Sequence, residues 1–419
     1  MTGLALTRAP PAPRPLRFLL TAPLWGVVAG VLLAASPDTL AGGRWSPTAV
    51  ALVHLFTLGV LGNAMLGSLL QFLPVAAGIA PSAARLAPVA HVALNLGLPV
   101  FVAALFFNHA LLLPASLLLA ASLLLVIVPP LPALLRAGAQ RLLRAGIGGA
   151  LLALLATIAL GLLAALVLGG HAALPLDQVV DAHATLGAGG WMLGLLAAVG
   201  SVTVPMFQGT SPVPPRAFAA WLVLALGLPI AWGLARLAGA PVLYAALSLA
   251  LPAMAFAAAL LWLQWRAPHR RNRTLVRFWC VGSIALALAG IAACASAAGA
   301  PAITTALAGM LALGIGVPLL VTGMLLEITA FITWIALRGQ CPRGVRIPAV
   351  GRLVTDGEKH GVLCVHLAAA GLLLVALAWP PLGRIAGIAL AVAYAGSALC
   401  QWRCLQRARA FARQHGEPQ

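Results

Sequence analysis

Residues 54–75 read HLFTLGVLGNAMLGSLLQFLPV, and residues 183–208 read HATLGAGGWMLGLLAAVGSVTVPMFQ. Each stretch begins with a histidine, passes through Thr-Leu-Gly, continues as a Gly-rich apolar run and closes near a proline and a glutamine. His54 and His183 stand 129 residues apart. Downstream, HVALNLGLPV from His91 matches WLVLALGLPI from Trp221 at a separation of 130. GMLLEITAF from Gly323 overlies GSLLQFLPV from Gly67 at 256, close to twice the unit. Recurrence at this length implies three copies of one structural unit.

Composition supplies the class. Of 419 residues, 62% are hydrophobic and 8% charged. Apolar runs long enough to cross a bilayer recur along the chain, so the expected fold is all-α, a polytopic membrane helical bundle. The runs are continuous in polarity, which excludes a closed β-barrel. Twelve spans are expected: 18–36, 47–77, 86–107, 110–135, 146–170, 179–208, 216–238, 240–264, 276–298, 301–338, 360–378 and 383–404. Twelve spans over three copies give four helices per copy, three pseudo-equivalent arcs, with the matching phrases on spans 2, 6 and 10 and on spans 3, 7 and 11. The run 18–36 follows three arginines as a signal peptide would, but its removal breaks the arithmetic, and it is read as span 1. The expected organisation is a tail (1–17), one twelve-helix domain (18–404) and a second tail (405–419).

The charges give orientation. Arg8, Arg14 and Arg17 precede span 1. The loops on that side carry Arg85, Arg136, Arg141, Arg144, Arg216, Arg266, Arg270, Arg271, Arg273, Arg277, Arg338, Arg343, Arg346, Arg352 and Lys359, and the tail adds Arg403, Arg407, Arg409 and Arg413. Only Arg44, Arg236 and Arg384 fall opposite. Both termini are therefore expected in the cytoplasm of a bacterial-type inner membrane. The +18 net charge is mostly a topology signal. Basic residues scattered over short loops, without an aromatic platform, do not form a nucleic-acid surface. The expected partners are the bilayer and its anionic headgroups. None of the six cysteines falls in a loop on the opposite side, so no structural disulfide is expected.

Helical geometry sorts the unusual residues into two layers. His54 lies about seven residues into span 2 and His183 about four into span 6, roughly 6 to 11 Å deep at about 1.5 Å per residue. The 256-residue offset places Met310 opposite His54. The three equivalent positions then read His54, His183 and Met310, on helices expected to meet around one axis. Near the other face stand Gln71, Gln208 and Glu327, with His91 and His366 at the starts of spans 3 and 11. Glu327 is the acidic residue well inside a span, and such a carboxylate is a site candidate or a packing partner for a neighbouring polar group. The ordinary readings are a packed methionine, structurally satisfied imidazoles, and glycines (59, 62, 67, 187, 190, 194) that let helices approach. The prolines near the ends of spans 2 and 6 are expected to bend or stop those helices, freeing backbone groups for Gln71 and Gln208.

Twelve helices in three arcs, with these histidines, resemble haem-copper oxidase subunit I. The likeness is closer to the NnrS-like membrane proteins, in which a His precedes a Gly-rich helix ending in a Pro motif and which are associated with haem, copper and nitric-oxide metabolism. It concentrates at His54–Pro74, His183–Gln208 and Gly323–Trp334. The oxidase resemblance implies a low-spin haem on histidines of helices 2 and 10, a high-spin haem on a second helix-10 His, and copper on one His of helix 6 and two of helix 7. This chain has no His between 301 and 338 and none between 216 and 238. Copper held in the family manner and oxygen reduction are therefore not expected, and no catalytic residue is assigned. One haem on His54 and Met310 is the expected cofactor, since His/Met is a known axial pair. His91 with His366 is a second candidate pair, and His54 and His183 are the metal-ligating candidates. The implied role is nitric-oxide or respiratory redox chemistry or metal handling, with an electron-transfer or assembly partner unspecified. Two alternatives stand: a secondary transporter coupled through Glu327 and the intramembrane histidines, against which three units rather than two halves counts, and a non-catalytic scaffold subunit.

Overall fold

A computed structural model of the chain describes residues 5–40, 43–79, 82–136, 138, 140–269, 271–342 and 344–415. Arg270, Arg343 and the last four residues of the expected tail lie outside the described residues. Those described form helices and loops with no strand. Among the described residues, twelve helices are long and apolar enough to cross a membrane: α1 (Pro13–Ala35), α2 (Pro47–Val75), α3 (Ala87–Phe106), α4 (His109–Ile127), α5 (Arg141–Leu168), α6 (Leu176–Gln208), α7 (Pro215–Leu237), α8 (Val242–Trp265), α9 (Arg273–Ala297), α10 (Ile303–Gln340), α11 (Asp356–Ala378) and α12 (Pro380–His415). The protein is an all-α polytopic bundle of multi-pass membrane type.

Local chemistry sets the ends. Ser46 caps α2 by accepting from the Ala49 N–H at 3.2 Å, with Pro47 in the first turn where its missing donor costs nothing. Thr355 and Glu358 form a capping box at the start of α11. Gly209, at φ 73°, ends α6 in a left-handed turn. Several boundaries depart from the sequence expectation, three of them for a visible local reason. α4 stops at Ile127, because Pro129 and Pro130 supply no N–H, and Leu131–Leu135 form a separate short helix. α11 begins at Asp356 rather than 360, drawn back by its capping box. α12 continues to His415, through most of what was expected to be a tail.

Spans 2, 6 and 10 share a feature that the sequence does not announce. Each opens α-helical, widens into a π-helical segment and returns to α. The segments are Leu55–Gly62, Leu186–Leu193 and Met310–Gly316. Their starts lie 131 and 255 residues beyond the first, within two residues of the sequence repeat. π-helix makes up well under about 1% of residues in ordinary domains, so three segments in register are a structural repeat. Each copy supports its wide turn differently. In α2 the fully buried Asn63 donates from Nδ2 to the Gly59 carbonyl at 2.9 Å and the Leu58 carbonyl at 3.4 Å, around the return to α-helical pairing. In α6 the segment contains Gly187, Gly189 and Gly190. In α10, Pro318 follows the segment and withholds a donor from the preceding turn.

The helices gather into two compact units. The first holds α1, α2, Thr274–Trp279 of α9, α10 from Leu313 onward, α11 and α12. Its closest packing joins α1 to α12. A Cβ on Gly30 would meet the Gly387 carbonyl oxygen at 2.7 Å, and a Cβ on Gly387 would meet the Gly30 carbonyl oxygen at 2.7 Å. The ring of Tyr394 fills the space beside Gly26. Glycines let these backbones touch, which in lipid is a main source of helix association. α2 leans on α1 through Gly67, whose Cβ would come 2.9 Å from the Pro15 carbonyl oxygen, and α10 leans on α9 through Gly323, whose Cβ would come 2.9 Å from Phe278. The second unit holds α3 from Pro88, α4 to α8, α9 from Cys280 and α10 up to Ala312. There α6 leans on α5: Gly190 faces Ala153 at 2.6 Å and Gly194 faces Ala150 at 3.5 Å, measured from the Cβ each would carry. Of the glycines named in the sequence, Gly67, Gly187, Gly190 and Gly194 thus act in packing against a neighbouring helix. Of the three helices expected to share a centre, α2 and α10 pack together within the first unit, and α6 belongs to the second.

Gly30→Ala should lower the thermal midpoint in detergent, by an overpacking cost of about 1–3 kcal/mol. Gly371→Ala, which meets open space, should leave it unchanged or raise it. Equal midpoints for the two variants would contradict the close α1–α12 contact.

Candidate functional site

His54, His183 and Met310 are each the eighth residue of their helices, counted from Pro47, Leu176 and Ile303. His183 is therefore as deep as His54, roughly 10 Å along its helix, because α6 begins three residues earlier than the sequence suggested. All three sit at the mouth of a π-helical segment: His54 immediately before it, His183 three residues before it and Met310 as its first residue. π-segments occur disproportionately at functional sites because the extra residue re-aims neighbouring side chains.

Both imidazoles are held by backbone carbonyls. His54 Nδ1 lies 2.8 Å from the Val50 oxygen one turn back. His183 Nδ1 lies 2.9 Å from the Thr157 oxygen on α5, and Gly161 leaves room for the ring, 3.1 Å from Cε1 to the Cβ it lacks. A carbonyl can only accept, so each Nδ1 carries a proton. This carbonyl backing is how metal-ligating histidines are usually oriented. The donor set thus fits an axial imidazole at His54 or His183. Met310 is half-buried and belongs to the second unit, as His183 does, while His54 belongs to the first.

The second candidate pair fares differently. His91 is four residues into α3, half-buried, and its carbonyl accepts from Asn95 Nδ2 at 2.7 Å. His366 was expected at the start of α11, but the early cap places it ten residues in, roughly 15 Å along the helix. The two do not share a depth in their helices. His366 is 6% exposed and stacks edge-on against Tyr394, ring centroids 5.0 Å apart, and against Phe278 at 6.4 Å. Its Nδ1 is 2.9 Å from the Val362 oxygen.

Two of the three polar residues of the other layer, Glu327 and Gln208, have partners that the sequence did not name. Glu327 is bound by Lys359, Nζ to Oε1 2.6 Å, with both side chains buried (6% and 7% exposed). Lys359, counted among loop cations, instead sits in the first turn of α11 and points at α10. Its neighbour Glu358 faces α12 and takes a two-pronged bond from Arg407, 2.7 Å to each oxygen. Consecutive residues thus lock α11 to both neighbours. Gln208 accepts from Gln264 of α8 at 2.7 Å, and the Cys280 thiol donates to Gln264 Oε1 at 2.9 Å. Gln71 is buried, and neither of its amide atoms has a hydrogen-bond partner among the described residues. The glutamines therefore do not satisfy carbonyls freed by Pro74 and Pro205, as had been expected. The six cysteines are free thiols.

Sequence reasoning missed two arrangements. Arg236, at the end of α7, grips Asp181 at 2.9 Å and Asp177 at 2.6 Å, pinning the start of α6 just ahead of His183. Two acids four residues apart near a helix start, with an arginine at the end of the next span, were the available signal. Gln-Trp-Arg also occurs twice, at 264–266, where α8 ends, and at 401–403, within the second half of α12. Gln401 donates to Thr329 Oγ1 on α10 at 3.0 Å and to the Leu19 carbonyl at 3.2 Å. In both places the glutamine clamps its helix to the π-bearing helix of the same repeat. Among the described residues no three His, Cys, Asp or Glu side chains converge as a metal site. Comparison of the chain with models of known protein families and with curated proteins gives no match.

Glu327→Gln alone leaves a buried ammonium with the exposed Asp356, 3.7 Å away, as its remaining counter-charge and should cost up to about 3–5 kcal/mol of stability. Joining it with Lys359→Met should restore most of that loss, read as the thermal midpoint in detergent. Equal losses in the single and double variants would show that the pair is not coupled.

Proposed function

We propose that this protein is a haem-binding membrane protein on the scaffold of haem-copper oxidase subunit I, closest in kind to the NnrS-like proteins. In this reading it serves nitric-oxide or respiratory redox chemistry, or haem and metal handling, without an oxygen-reducing centre. It lies in an inner membrane with both termini cytoplasmic, the side that most of the basic residues favour. The observation that carries the reading is the coincidence of three eighth-position residues, His54, His183 and Met310, with three π-helical segments in register. π-helical turns inside α-helices are rare and occur frequently at functional sites.

His54 would supply an axial imidazole, its Nδ1–H held by Val50 so that Nε2 is the ligating atom. When bound, the haem would supply one-electron or small-gas chemistry. The protein contributes the orientation of the imidazole. The transporter alternative needs Glu327 to take up and release an ion. Lys359 already holds that carboxylate at 2.6 Å, which favours a structural role for it.

Purified protein should show a Soret band that shifts on addition of dithionite. His54→Ala should remove or displace the band, and His109→Ala should leave it intact. Absence of any band, even after growth with added haem precursor and incubation with haem, would overturn the proposal.

A further inference from the structure

The two Gln-Trp-Arg corners differ in their electrostatic surroundings. In the second unit Gln264 is buried in its clamp, while Trp265 is 68% exposed and the Arg266 guanidinium lies over its ring, 5.1 Å from the centroid. The loop beyond is fastened to the end of α6: the Arg271 N–H donates to the Gln208 carbonyl at 3.3 Å and the His269 N–H to the Gly209 carbonyl at 3.4 Å. Arg216, Arg266, Arg271 and Arg273 are all exposed at this end of α6 to α9. The only acidic residues of this unit are Asp177 and Asp181, at the opposite end of α6 and held by Arg236. No carboxylate of the unit therefore neutralises the arginines. In the first unit Trp402 is 51% exposed, but Arg403 stands 3.9 Å from Glu358.

We propose that the arginine-rich corner around Trp265, Arg266 and Arg271 is a binding site for the headgroup of an anionic phospholipid. Trp265 is the last residue of α8, and indoles at the ends of spans prefer the level between hydrocarbon and headgroup. Stacking on the Trp265 ring holds the guanidinium in place. Guanidinium groups bind phosphate through paired N–H donors. A cluster of cations without acids binds a negative surface with about fivefold in affinity per residue. The loop's backbone bonds to α6 fix the cluster as a surface feature of the folded unit. The Trp402 corner has the same triplet and a competing carboxylate, so it binds the same headgroup less well. The inference does not depend on haem.

The test is native mass spectrometry of the full chain in detergent, titrated with phosphatidylglycerol or phosphatidylcholine. Phosphatidylglycerol should bind more tightly and lose affinity as salt rises. Arg266→Gln and Arg271→Gln should each weaken it about fivefold, and Arg403→Gln should do so by much less. An unchanged thermal midpoint in these exposed variants shows that the fold persists. Indistinguishable binding of the two lipids, or parental affinity in the Arg266→Gln/Arg271→Gln double variant, would overturn the proposal. Displacement of phosphatidylglycerol by low-millimolar inorganic phosphate would also overturn it, assigning the corner to free phosphate.

Discussion

A carbonyl inside a bilayer has no water to bond to, so a helix that departs from i→i+4 pairing must find substitutes for every acceptor it strands. That constraint governs α2, α6 and α10. Each carries a widened turn of 7 or 8 residues near the same depth. Asn63 bonds back to Gly59 and Leu58, and the wide turn of α10 is followed by a proline that has no N–H to give. The positions aligned by the repeat stand at these turns because the turns re-aim what precedes and follows them.

The same logic explains the buried charges. A lone carboxylate in α10 would be costly, and Lys359 answers it from the first turn of α11. That turn is begun by the Thr355–Glu358 capping box, and Glu358 is in turn held by Arg407 on the extended end of α12. A cap, a buried pair and a surface pair therefore depend on one another through adjacent residues, and they fasten three helices at one end of the first unit. At the opposite end the backbones of α1 and α12 touch through Gly30 and Gly387. In the second unit the Arg236 grip on Asp177 and Asp181 fixes the start of α6, and the Gln208–Gln264–Cys280 chain fixes its end.

Much of the fold was legible in the sequence because hydrophobic length and repeat period are global properties. Twelve runs of the right length become twelve helices, and the 129- and 256-residue separations reappear as π-segments in register. Depth was less legible because it depends on where a helix starts, which a cap decides. α11 begins four residues earlier than hydropathy suggested, which moves His366 deeper. α6 begins three residues earlier, which gives His183 the same position in its own helix as His54 has in α2. Lys359 read as a loop cation because its charge outweighed its place in a capped first turn. The clamps of Gln264 and Gln401 were hidden by a different cause: their triplet recurs 137 residues apart, off the main period.

The central claim is that the aligned residues of three repeated units stand at three equivalent wide turns. An electron cryomicroscopy map of the purified protein, resolving backbone carbonyls in α2, α6 and α10, tests it most directly. The account predicts i→i+5 pairing beginning at or within three residues of His54, His183 and Met310 in all three helices. Unbroken α-helical pairing through that stretch in any one of them would contradict it.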